Sequence, residues 1–176
     1  MEAKIYVGTY GKYNEGSLHG DYLDLTEFSN KEEFYAACKV LHSDEDDAEF
    51  MFQDYDGIVN DMPDDWRGEC YIKDIAFEFL KYFEGEDDKA AHFLEWLKHS
   101  GYNGDFDYLK ETFETAYIGE FDSEKAFAEH HAEELGYYAA MEKAGINMRY
   151  FDEEAFAVDL FCDGFNFYSG VVFQSI

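Results

Sequence analysis

The chain has 176 residues, of which 41 are Asp or Glu and 13 are Lys or Arg, a formal net charge of −28 at pH 7. Its 18 Phe, 15 Tyr and 2 Trp exclude a disordered acidic protein, because such chains lack the apolar surface needed to fold. The scarcity of cations, with Arg67 and Arg149 the only arginines, excludes direct DNA or RNA binding and docking on an anionic membrane.

In chain order, residues 3–9 read as a strand rather than a signal peptide, which needs a basic start and a longer apolar run. Tyr13-Asn14-Glu15-Gly16 is turn chemistry, and Leu18 to Leu25 reads as a second strand. Ser29 or Asn30 caps a helix to about His42, with Phe34, Ala37, Cys38 and Leu41 at helical spacing. Asp44 to Asp47 form an acidic loop before a third strand over 49–54. The sole proline, Pro63, marks a boundary. Beyond it, Ile72, Ile75, Ala76, Phe79, Leu80 and Phe83 form one amphipathic stripe. Ala90, Phe93, Leu94 and Leu97 define a second helix ending at His99-Ser100-Gly101.

A second boundary follows at Tyr102-Asn103-Gly104-Asp105. The last segment predicts a helix over 106–116 and a short extended piece over 117–121. Ser123 caps a helix through Leu135, with continuation past Gly136 left open. Residues 145–151 are a connection or a strand, Asp152 caps a helix to 161 or 162, and the tail over 165–173 is β-like. The fold class is α+β, and the two boundaries divide the chain into three parts over 1–60, 61–103 and 104–176.

Charge is spread along all three parts, with net values of −10, −6 and −12 over residues 1–60, 61–104 and 105–176. An acidic tail on a neutral body is therefore excluded. A compact 20.5 kDa monomer exposes about 8,900 Å², or one carboxylate per roughly 220 Å². B-DNA, treated as a cylinder of roughly 10 Å radius, carries one phosphate per about 110 Å². Acids crowded onto half the surface would match that density. Asp107, Glu111 and Glu114 stand at i, i+4, i+7, and Asp74/Glu78 and Glu129/Glu133 at i, i+4. Such like-charge pairs destabilise a helix by about 0.2–0.5 kcal/mol each. Their axial spacing is about 6 Å, near the roughly 7 Å between phosphates of one DNA strand. The plain alternative is a solvated face kept for solubility, but solubility needs a net charge of only about 2–8.

Other chemistry has weak support. Asp54-x-Asp56-Gly57 resembles part of a calcium loop, yet position 1 would be Phe52 and position 12 Pro63. His92, Glu95 and His99 share a helix face, as metal ligands would, but that face reads as solvated; His130-His131 with Glu134 is no stronger. No nucleophile elbow, dinucleotide fingerprint or phosphate loop is present, so the chain reads as a non-enzyme needing no cofactor or metal. Cys38, Cys70 and Cys162 are widely spaced and read as buried free thiols, which points to the cytoplasm.

Ile5-Tyr6-Val7-Gly8-Thr9-Tyr10, Tyr13-Asn14-Glu15-Gly16, Leu18-His19-Gly20 and Leu23-Asp24-Leu25 resemble the opening of ArdA-type antirestriction proteins. Phe52-Gln53-Asp54-Tyr55-Asp56, Tyr117 to Phe121, Phe156 to Leu160 and Gly170-Val171-Val172-Phe173 are similar to later parts of that family. The resemblance spans nearly the whole chain. It implies a DNA mimic from conjugative plasmids and transposons that binds type I restriction-modification enzymes at their DNA methyltransferase core. It also implies an elongated chain of three small subdomains, in agreement with the two boundaries, and a homodimer. The matched residues are mostly Gly and aromatic, so they carry over no catalytic role.

The candidate phosphate-mimicking carboxylates therefore come from charge alone: Asp44, Glu45, Asp46, Asp47, Asp74, Glu78, Asp107, Glu111, Glu114, Glu120, Asp122, Glu129 and Glu133. Phe167, Val171 and Phe173 are the candidate dimer contact, with a strand completing the monomer core as the plainer reading. An acidic chaperone or adaptor for a basic nucleoid-type protein is the alternative function.

Overall fold

The computed structural model describes residues 1–176, the side chain of Asp163 excepted. The chain divides into two compact units, Met1–Phe106 and Asp107–Ile176. Helices and small antiparallel sheets occur in both, so the class is α+β.

Unit 1 is built on β1 (Ala3–Thr9), whose Ala3, Ile5 and Val7 alternate inward and are fully buried. β1 is the middle strand of three, pairing antiparallel with β2 (Asp21–Asp24) and β3 (Phe50–Gly57). Between β1 and β2 lies a five-residue helix, α1 (Tyr10–Asn14), where only a turn over 13–16 is expected. Thr9 starts it by accepting the Lys12 amide at 3.2 Å. β3 ends at Gly57, whose φ is +67° and whose missing Cβ would lie 2.0 Å from the Glu2 carbonyl oxygen. Only glycine fits that approach.

α2 (Lys31–Leu41) begins where expected, with Asn30 accepting the Glu33 amide at 2.9 Å and Glu33 accepting the Ser29 amide at 2.8 Å. It lays Phe34 and Cys38 onto the sheet. A hairpin too short to show periodicity, β4 (Arg67–Gly68) and β5 (Tyr71–Ile72), precedes α3 (Asp74–Tyr82). α4 (Asp87–Ser100) stops at Gly101, left-handed at φ 72°. Phe79, Phe83 and Phe93 meet with ring centroids 5.1–5.6 Å apart, an aromatic core for the two helices. Phe34 and Phe77 join this core to the sheet side at 6.1 Å.

Unit 2 follows from α5 (Phe106–Ala116), which runs directly into β6 (Tyr117–Glu120). Ser123 caps α6 (Glu124–Glu134) by accepting the Ala126 amide at 3.1 Å. Gly136, at φ 75°, separates it from α7 (Tyr137–Lys143). Residues 148–150 form a 3-10 turn rather than a strand. Asp152 caps α8 (Glu153–Asp163), and a hairpin of β7 (Phe165–Tyr168) and β8 (Val171–Gln174) completes the sheet in the order β6-β8-β7. Phe127 centres this core against Phe165, Phe121 and Phe161, at 4.8, 5.1 and 5.7 Å.

The cysteine expectation is corrected at two of three positions. Cys38 is buried in α2, and burial pushes its thiol pKa up to about 12. Cys70, in the β4–β5 turn, and Cys162, in the last turn of α8, are exposed. Apolar neighbours in sequence do not decide which face of a turn a residue occupies.

Candidate functional site

Placement of the acids is nearly uniform. Of the 41 carboxylate residues, 36 are exposed and four (Asp24, Glu45, Glu95 and Glu153) are half-buried; none of the described ones is buried. Unit 1 holds 26 acids and nine bases, net −17, and unit 2 holds 15 and four, net −11. Averaged over 10,360 Å² of accessible surface, this is one carboxylate per about 250 Å², so the density of DNA needs a face on which the acids concentrate.

α5 carries three acids on one face. Phe106, Leu109, Phe113 and Ala116 are buried along one stripe, which turns Asp107, Glu111 and Glu114 to solvent. Lys110 pairs with Asp107 at 3.0 Å, and that hydrogen bond raises the lysine pKa. On α6, Glu129 and Glu133 are exposed, with Lys125 reaching Glu129 at 3.8 Å and Glu153 at 3.2 Å. Glu120 closes β6 and Asp122 stands in the next turn, both exposed. On α3, Asp74 pairs with Lys31 at 2.7 Å, and Glu78 is exposed one turn later.

The loop after α2 is the most closely held. Lys12 Nζ donates to Asp44 at 2.7 Å, lies 3.4 Å from Glu45, and donates to Nδ1 of the buried His42 at 3.2 Å. Nε2 of His42 donates to the Val7 carbonyl at 3.1 Å, which fixes the tautomer. Thr9 Oγ1 donates to Glu45 at 2.8 Å. Asp46 and Asp47 project from this loop, exposed. Among the described residues, His42, Asp44 and Glu45 are the one group of three potential metal-ligand side chains within 4.8 Å of one another. The Lys12 ammonium sits among them as the protein's own cation.

Other sequence candidates separate. Asp54 and Asp56 lie in extended β3, where Asp54 accepts the Tyr22 hydroxyl and Asp56 accepts the Gly57 amide, so no calcium loop forms. These strand acids are the residues that sequence reasoning overlooked as surface charge. Asp56 and Asp24 flank Lys4 in register, and Asp54 lies opposite Tyr6, all on one sheet face. Strand residues at i and i+2 are about 6.6–6.8 Å apart, again close to phosphate spacing. The signal was the Asp-x-Asp alternation within a strand pattern. His99 pairs with Glu95 on α4 at 3.1 Å and His130 with Glu134 on α6 at 3.5 Å, each a helical i, i+4 pair.

The tail residues do not lie at the surface. Val171 and Phe173 are each 1% exposed in the middle strand of unit 2, and Phe167 is half-buried beside them. Val171 and Phe173 give their apolar area to the core of unit 2. Among the described residues no helix is long and apolar enough to cross a membrane.

A family model described as "Antirestriction protein (ArdA)" matches residues 5–173. No curated protein matches the chain.

Proposed function

The chain belongs to the ArdA antirestriction family, and from that premise we propose that it is a non-enzymatic DNA mimic acting in the bacterial cytoplasm. Its carboxylates take the place of phosphates in the DNA groove of a type I restriction-modification enzyme, against the methyltransferase core. The observation that carries this reading is the exposure of 36 of the 41 acids, spread over both units. A core made of aromatic side chains leaves the acids free to cover the outside. Lys and Arg that evolved to neutralise phosphates then meet carboxylates at similar spacing, and foreign DNA is excluded by competition.

Affinity in such a complex is the sum of many weak charge contacts. The test is a titration against a type I methyltransferase at several NaCl concentrations. Glu111→Gln alone should weaken binding about twofold, and neutralising Asp107, Glu111 and Glu114 together should weaken it progressively further. The logarithm of affinity should fall with the logarithm of salt. Tolerance of the grouped change, with one aromatic change abolishing binding, would reject phosphate mimicry. Equal binding to a histone-like protein would favour the acidic-chaperone reading instead. In cells, unmethylated phage DNA should escape restriction when the protein is expressed.

We also assign self-association to residues 135–151. This stretch contains one acid, Glu142, and two bases, Lys143 and Arg149, in a chain of net −28. It exposes Leu135, Tyr137, Ile146, Met148 and Tyr150, the last at 69%. A contact there brings few acids of the two copies together, and a twofold arrangement can pair Glu142 of one copy with a base of the other.

A further inference from the structure

We propose that Lys12, held by His42 and Thr9, is a positioning residue for the carboxylates of the 43–47 loop; this rests on the mimicry reading above. In a chain of net −28, a lysine that cancels two acids lowers attraction for a basic groove by simple charge counting. Its placement points the other way. The Lys12 side chain is only 12% exposed, and its ammonium is fixed by three groups from the end of α2 and the following loop. His42, fully buried, is itself anchored to β1 through the Val7 carbonyl. Thr9, at the end of the same strand, holds Glu45 from the other side. The Glu45 amide donates to the His42 carbonyl at 3.0 Å, closing the turn.

This arrangement divides the four loop acids by role. Asp44 and Glu45 are used to tie the loop to β1 and α1, and Asp46 and Asp47 extend from the tied loop into solvent. A loop left free would have to be ordered on binding, at a cost in entropy for each residue fixed. The clamp meets that cost during folding. Lys12 thus trades local charge for a fixed direction of Asp46 and Asp47.

The sign of one substitution separates the two views. Lys12→Met makes the chain more negative by one charge. Charge counting then expects equal or tighter binding to a type I methyltransferase. Positioning expects binding about fivefold weaker. Lys39→Met, at an exposed position of α2, makes the same charge change without touching the clamp and should bind as well as wild type or better. Lys12→Arg, which keeps a cation there, should recover part of the loss. Thr9→Val keeps the ammonium and releases Glu45, so it should weaken binding in the same direction by less.

The decisive readout is a cycle with Asp46→Asn/Asp47→Asn. If Lys12 acts through those acids, Lys12→Met has little further effect once they are neutral. A loss that persists unchanged in that background comes from general destabilisation and overturns the proposal, as does wild-type affinity in folded Lys12→Met. Should Lys12→Met not fold, Thr9→Val in the same cycle decides in its place. If Asp46→Asn/Asp47→Asn binds normally while the grouped α5 change does not, this inference fails and mimicry stands. If wild type does not bind the methyltransferase at all, it is the mimicry reading that fails.

Discussion

Unit 1 and unit 2 carry the same charge relative to their length, about one net negative charge per six residues, yet they differ in the apolar surface they show. In unit 1 the exposed large hydrophobics are Tyr13, Leu18, Tyr22, Val40, Tyr71 and Tyr82, scattered over 106 residues. In unit 2 there are nine in 70 residues, and five fall between 135 and 150. Single exposed apolar residues are ordinary, whereas a run of them is a mark of interaction. Charge therefore identifies no particular part of the chain, because it is everywhere. A stretch that is both poor in charge and rich in exposed apolar side chains is the more informative feature, and residues 135–151 of unit 2 are such a stretch.

The largest effects should come from the two cores and should be alike. Phe34→Ala in unit 1 and Phe127→Ala in unit 2 each remove a ring with at most 2% exposure. Each should cost about 3–5 kcal/mol in denaturant unfolding. A much smaller loss in unit 2 would mean that its core is loose and that its exposed apolar residues reflect poor packing rather than an interface.

Self-association is the next test. Ile146→Asp with Tyr150→Asp should raise the self-dissociation constant at least about 30-fold in sedimentation equilibrium. Leu18→Asp and Val40→Asp in unit 1, more exposed still, should leave it unchanged. The opposite pattern would reverse the comparison. A smaller and shared effect is expected from salt. Screening over about 10 Å at 0.1 M relieves self-repulsion, so melting temperature should rise from low to moderate NaCl. A flat curve would mean that pairs such as Lys31–Asp74 already compensate the charge locally.

Much of this was legible in the sequence because it is local. Asn30, Ser123 and Asp152 each start a helix by a rule that spans three residues, and each accepts the expected amide. The stripe on α5 shows its buried and acidic faces in eleven residues. What was not legible is short or long-range. α1 and the β4–β5 hairpin are too brief for a period to appear. Lys12 and Asp44 are 32 residues apart, and no pattern links them until β1 and α2 are packed. Val171 and Phe173 read more plainly as core than as interface, although an apolar strand looks the same in both settings. Strand order places β8 in the middle of its sheet, where both side chains are buried.

The smallest predicted effect concerns acid stability, and its sign follows from the clamp. The Lys12 ammonium beside Asp44 holds that carboxyl below its ordinary value of 3.8, while the neighbouring Asp44 raises the Lys12 pKa. A depressed carboxyl contributes stability that is present above its unfolded pKa and is lost as pH falls through the lower folded one. The raised lysine contributes stability that is present below its ordinary 10.5 and is lost only as pH rises through its folded value, so it plays no part on the acid side. As pH falls from 7 toward the carboxyl range, the other acids begin to neutralise and self-repulsion declines. The ion pair persists through that interval, so wild-type melting temperature should hold or rise there before it falls. Asp44→Asn removes the pair but not the fold. Its melting temperature should lie below wild type at pH 7, and the two curves should converge once pH drops below the folded pKa of Asp44. Melting curves followed by circular dichroism between pH 2 and 7 would measure the gap. A gap that stayed constant into acid would show that Asp44 contributes through neutral hydrogen bonding or packing. The clamp would then owe its strength to His42 and Thr9 rather than to charge.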